Sequence, residues 1–106
     1  MLVVKLNDRF KFFNIKLETC YQMYAQMATG LSPEITHFNT YEGAKQDLYV
    51  KDADKHNLLR PETIETLYYM YKITNKKKYQ DYGWEIFQAF EKYTKVENGY
   101  TSINVR

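Results

Sequence analysis

The sequence predicts an all-α chain of antiparallel helical hairpins interrupted by one long irregular connection. Three observations carry that reading: an apolar stripe at helical spacing before Gly30, a proline-led helix after Arg60, and a broad aromatic stripe that resumes a few residues after that helix stops. A length of 106 residues with 44% hydrophobic side chains fits one globular domain or a piece of one.

Leu17, Cys20, Tyr21, Tyr24, Met27 and Ala28 recur at the spacing of one helix face, which predicts a first helix over about 14–27. Gly30 supplies a left-handed stop, and Ser32-Pro33 opposes continuation. Periodicity then fades until Leu59, with short extended pieces expected at Glu34–Phe38 and Asp47–Val50. A structureless stretch of that length is uncommon inside a folded unit unless it carries function, so it is the first place to look for a site.

Pro61 suits the first position of a second helix, because it has no amide to leave unpaired; its stripe is Ile64, Leu67, Tyr68 and Tyr71. After Thr74-Asn75 a third helix is expected to Tyr93, with Tyr79, Tyr82, Ile86, Phe90 and Tyr93 on one side and Trp84 and Phe87 on another. The short link makes the last two helices an antiparallel hairpin, and Asn98-Gly99 marks the exit turn. Eleven Tyr and six Phe exceed what the modest core of so small a unit absorbs, which points to helices that pack against something larger.

The charge balance, 15 Lys+Arg against 13 Asp+Glu, leaves no basic stripe for tracking phosphates, so nucleic acid is not an expected partner. No apolar run approaches the roughly 20 residues of a bilayer-crossing helix. The opening Met1-Leu2-Val3-Val4 is broken at once by charge and lacks the pattern of a secretion signal. Glycine-rich phosphate loops, the Gly-x-Ser-x-Gly turn and helical-repeat periods are not found, and His37 and His56 have no partners at zinc-ligand spacing.

Arg60-Pro61-Glu62-Thr63-Ile64-Glu65 is the most informative local run. It sets a guanidinium before a helix start and two carboxylates, Glu62 and Glu65, near its first turn and away from the apolar stripe. Both the helix terminus and Arg60 favour ionised carboxylates there, which suits a general base or a partner for a hard cation; ordinary helix stabilisation accounts for the same pattern. Glu34 follows a helix stop, where a carboxylate can point into a cleft or into solvent. Tyr69 shares the Glu65 side and is a sugar-stacking candidate. Cys20, the one cysteine, is a buried thiol, a reactive thiol, or half of a bridge to a cysteine elsewhere.

Taken in order, Glu18-Thr19-Cys20-Tyr21, Gly30-Leu31-Ser32-Pro33-Glu34-Ile35, His56-Asn57-Leu58-Leu59-Arg60-Pro61-Glu62-Thr63 and Tyr79-Gln80-Asp81-Tyr82-Gly83-Trp84 resemble the family 47 glycoside hydrolases, the class I α-1,2-mannosidases. The resemblance runs from about Glu18 to Asn104 and divides the chain into a poorly matching segment, 1–17, and a partial barrel domain, 18–106. It implies a portion of an (α/α)7 barrel. The implied activity is the inverting, Ca²⁺-dependent removal of α-1,2-linked mannose from high-mannose N-glycans on glycoproteins, in the lumen of the endoplasmic reticulum or Golgi.

By position, the resemblance makes Glu62 the carboxylate that activates the attacking water beside Ca²⁺ and Arg60 a sugar-contacting arginine. Glu65 becomes a holder of calcium-bound water, and Glu34 a pocket carboxylate with a proton-donor assignment. Cys20 is similar to one half of a family disulfide whose other half lies upstream. The family's principal acid carboxylates and a calcium-ligating threonine also fall outside this stretch, which implies a partial, inactive piece. The rival expectation is a non-catalytic helical module that binds glycans or another protein.

Overall fold

The computed structural model describes residues 2–105, and the side chains from residue 7 onward. The reading of Met1-Leu2-Val3-Val4 therefore concerns side chains outside the described residues. Three helices dominate: α1 (Leu2–Ala25), α2 (Glu62–Thr74) and α3 (Lys77–Tyr93). Between and after them lie three two-stranded antiparallel pairs. His37–Phe38 (β1) pairs with Leu48–Tyr49 (β2), His56–Asn57 (β3) with Ile103–Asn104 (β6), and Lys95–Val96 (β4) with Gly99–Tyr100 (β5).

Helix α1 begins far earlier than the stripe predicts. No glycine or proline precedes Gly30, so nothing stops a helix nucleated near Leu17 from propagating backwards. Its first half carries exposed Phe10, Phe12, Phe13 and Ile15, whereas Leu17, Tyr21 and Tyr24 are buried. The helix ends at Ala25, and the chain then turns through Gly30, whose φ of +72° is left-handed. A β-carbon there would sit 3.3 Å from that of Ala89, so the turn also brings the chain close against α3.

Pro61 precedes α2 and its carbonyl accepts from the Glu65 amide at 3.0 Å. Asn75, left-handed at φ 54°, ends the helix by donating to the Tyr71 carbonyl at 2.7 Å. One further residue leads into α3, giving the expected hairpin. Leu67 and Met70 of α2 and Tyr79, Ile86 and Ala89 of α3 are buried against Leu17, Tyr21, Tyr24, Leu31 and Val105. Tyr68, placed in the α2 stripe by the sequence, is exposed instead, and Met70 takes the core position one turn beyond Leu67.

Two stacked tyrosines tie α1 to α3. The Tyr21 and Tyr82 rings lie 3.5 Å apart and nearly parallel, and each hydroxyl donates to a carboxylate on the opposite helix. Tyr21 reaches Glu85, and Tyr82 reaches Glu18 at 2.8 Å. The whole measures 52 × 39 × 17 Å. Its radius of gyration, 15.6 Å, exceeds the roughly 13 Å of a compact unit of this length, as befits a slab and not a ball. No barrel closes within the described residues, and no described helix is long and apolar enough to cross a membrane.

Candidate active site

The connection between α1 and α2 is held by hydrogen bonds more than by apolar packing. β1 and β2 pair within the two stretches expected to be extended. β3 is fastened to the chain's last strand, and the Val105 amide donates to the Lys55 carbonyl at 2.7 Å, so the end of the sequence braces the run before α2. The Glu34 amide donates to the His56 carbonyl at 2.8 Å, which lays the start of the connection beside its end. That contact places Glu34 next to Arg60, though 26 positions separate them.

The pair is a fork. Arg60 Nε donates to both Glu34 carboxylate oxygens, at 2.9 and 3.1 Å, and Nη2 donates to one of them at 2.7 Å. These bonds hold the Glu34 carboxyl below its ordinary value, so Glu34 sits here in the ionised form. In this arrangement it accepts hydrogen bonds; giving up a proton requires Arg60 to let go.

Immediately before Arg60, Leu59 adopts a left-handed backbone with φ 58°. A branched side chain in that conformation costs about 1–3 kcal/mol, and such residues concentrate at functional sites. Asn57 is 4% exposed and uses both ends of its amide. Its Nδ2 donates to the Ser32 carbonyl at 2.7 Å, and its Oδ1 accepts from the Leu59 amide at 3.0 Å.

Glu62 opens α2 two residues beyond Arg60 and is exposed; among the described residues its carboxylate makes no hydrogen bond or ion pair. It borders two adjoining concavities. The first, about 180 Å³, is lined also by Cys20, Tyr24, Glu34, Leu58 and Arg60. The second, about 210 Å³, runs along Phe13, Leu17 and Cys20 to Thr66. Burial pushes the phenol of Tyr24, in the wall of the first, up, so it stays protonated.

Of the residues singled out in the sequence, the structure thus gathers Glu34, Arg60 and Glu62 at one concavity, with Cys20 half-buried in its wall. Glu65 lies one turn along α2, exposed and outside that lining. Tyr69 packs edge-on against Tyr68 and is also outside it. His37 bonds Asp54 at 3.1 Å, an arrangement internal to the connection. Among the described residues no three His, Cys, Asp or Glu side chains converge as a metal cluster. Glu62 and Glu65 alone do not amount to the six to eight oxygens that calcium takes.

Sequence reasoning passed over Asn57, Ser32 and Leu59. An asparagine two residues before a turn is a legible signal for a side-chain cap on the backbone, but its reach back to Ser32 is not.

Residues 3–105 match the model of glycosyl hydrolase family 47, and the chain belongs to that family. The match takes in most of the segment before residue 18. The chain is 63% identical over 99 residues to the endoplasmic reticulum mannosyl-oligosaccharide 1,2-alpha-mannosidase of Rattus norvegicus, covering 92% of this chain and 15% of the relative. It is 60% identical over 90 residues to the Homo sapiens protein of the same name, covering 83% of this chain and 13% of that one. Among solved structures, the alpha-1,2-mannosidase from Trichoderma reesei superposes with a TM-score of 0.75 at 28% identity, over 93% of this chain and 24% of that one. The three helices therefore form a section of the (α/α)7 barrel that this family adopts, and the chain spans about 15% of the length of the rat relative.

Proposed function

We propose that this chain contributes the base side of an α-1,2-mannosidase site that removes terminal mannose from high-mannose N-glycans in the endoplasmic reticulum or Golgi lumen. The observation that carries the reading is the convergence of Glu62, Arg60 and Glu34 on one concavity, with Glu62 the carboxylate that has no hydrogen-bond or ion-pair partner among the described residues. Glu62 accepts the proton of the attacking water. Arg60, charged and forked on Glu34, offers its remaining N–H groups to sugar hydroxyls. Glu34 orients Arg60 and acts as a proton donor only after that pair opens.

Inversion places the base on the face of the sugar opposite the leaving group, with room for one water, and an exposed carboxylate at the mouth of a concavity meets that need. Glu62 directly, and Glu65 through water, would hold Ca²⁺ with oxygens contributed elsewhere in the protein. When bound, the ion favours the deprotonated form of a neighbouring water. Cys20, in the wall beside Glu62, is proposed to form a disulfide with an upstream cysteine.

The test is release of mannose from an α-1,2-terminated N-glycan by the protein carrying this chain, with and without EGTA. Glu62→Gln should lower kcat by about 10²–10⁴-fold, the range of a lost general base, while substrate still binds. EGTA should stop turnover and added Ca²⁺ restore it. Unchanged turnover in Glu62→Gln rejects the base assignment. Glycan binding without any turnover by the unaltered protein would make it a glycan-binding module instead.

A further inference from the structure

We infer that Asn57 is a positioning residue for this site: by holding Leu59 in the left-handed conformation it fixes the direction in which Arg60 leaves the backbone, and so keeps the guanidinium forked on Glu34 at the concavity. The activity arm of the test below rests on the mannosidase reading; the structural arm does not.

The argument starts from the buried amide. Asn57 is 4% exposed, and an unpaired amide there would be costly, so both of its contacts are obligatory in the folded chain. One fastens the Ser32 carbonyl, two residues before Glu34. The other fastens the Leu59 amide, one residue before Arg60. A single side chain therefore grips the backbone just ahead of each partner of the fork.

Leu59 is where the grip does most. The β3–β6 pairing and the Glu34-to-His56 bond align the backbone only as far as Asn57. Beyond it, the contact made by the Leu59 amide among the described residues is the one to Asn57. Released from it, a leucine at φ 58° reverts to the negative φ that branched residues favour. That rotation redirects every atom that follows, beginning with Arg60. Glycine holds a positive φ unaided, which supplies a rescue.

The experiment follows hydrogen exchange of the Leu59 amide and of Arg60 Nε–H by ¹⁵N NMR in the full chain, with Asn57→Ala, Asn57→Asp, and Asn57→Ala combined with Leu59→Gly. In Asn57→Ala both protections should fall together. Adding Leu59→Gly should restore protection at Arg60 Nε–H, because the backbone direction no longer needs the amide. Asn57→Asp keeps an acceptor for residue 59 and loses the donor to Ser32, so it remains informative should Asn57→Ala fail to fold.

Across the leucine-bearing variants Arg60 protection must track that of the Leu59 amide; one in which they separate overturns the inference, as does absence of rescue by Leu59→Gly. In turnover of an α-1,2-linked mannoside, Asn57→Ala should raise KM by about tenfold to a hundredfold with a smaller change in kcat, the signature of a misdirected binding group. A lowered melting temperature with KM and Arg60 protection unmoved would leave Asn57 a structural residue only. If the unaltered protein shows no turnover, the mannosidase reading fails while the exchange coupling stands or falls by itself.

Discussion

The α2–α3 hairpin and the connection from Gly30 to Arg60 are built on different forces. In the hairpin, position follows from burial: Leu67, Met70, Tyr79, Ile86 and Ala89 belong to one buried apolar cluster. In the connection the buried apolar side chains are few, Leu31, Pro33 and Leu48, and geometry comes from directed bonds such as Asn57 to Ser32, Glu34 to His56 and Arg60 to Glu34. Apolar packing is strong and tolerant of direction; hydrogen bonds are weaker and set direction. Glu34 and Arg60 therefore sit on the part of the molecule that specifies angles, while Glu62 stands on the first turn of the part that supplies stability.

The sharpest way to break that contrast is to hollow out the hairpin. Ile86 is 1% exposed, and Ile86→Ala should cost about 2–5 kcal/mol in urea unfolding, a large share of the roughly 5–15 kcal/mol of an ordinary domain. In the molecules that remain folded, the Glu34 carboxyl carbon should keep its chemical shift, since the hydrogen bonds of the Arg60 fork run to Glu34 and not to α3. A loss of the fork at full folding would mean that the two regions are not separable.

How much of this could be read beforehand follows the same division. The hairpin was legible because burial writes itself into spacing: Pro61 marks a start, Leu67 and Ile86 fall on the inner faces, and Thr74-Asn75 marks the break. The first half of α1 was not, because Phe10, Phe12, Phe13 and Ile15 are exposed and form no one-sided stripe. Tyr68 fits the same apolar period as Met70 but stays outside, so spacing alone does not separate the two. Glu34, Arg60 and Glu62 were nameable as residue types in the right kind of segment. Local pattern alone does not bring them together, because Glu34 and Arg60 meet across 26 positions; the family resemblance does, by implying one sugar pocket for all three.

In the tyrosine clasp between α1 and α3 both forces act at once, and it predicts an intermediate effect. Burial, reinforced by the bond to Glu18, pushes the Tyr82 hydroxyl up to about 12, and burial with the Glu85 bond raises Tyr21 as well. Both therefore remain hydrogen-bond donors across the neutral range. Tyr82→Phe keeps the stacked ring and deletes only the hydroxyl, so its cost should be that of one hydrogen bond, about 0.5–1.5 kcal/mol in chemical unfolding. Glu18 retains Lys78, 3.7 Å away, which limits the penalty of the vacated acceptor. A cost as large as that of Ile86→Ala would show the clasp belongs to the core and not to the join between α1 and α3.

The smallest effect is expected from acid. The bonds from Arg60 lower Glu34 from its ordinary 4.5, so the folded state holds this carboxylate ionised more firmly than the unfolded chain does. Above 4.5 the pair's contribution is complete. As the pH falls through that value the unfolded chain takes up its proton first, and the contribution shrinks until the folded carboxyl is protonated too. Glu91, lowered by Lys95 and Tyr100 just beyond the hairpin core, should lose its own contribution on the same acid limb. The two are told apart by Arg60→Gln. A ¹³C titration should then find Glu34 back near 4.5 and Glu91 where it was, and high salt should narrow the original gap because the pair is open to solvent. If Glu34 keeps its low midpoint without Arg60, some other donor holds it, and the direction-setting role given to that fork belongs elsewhere in the connection.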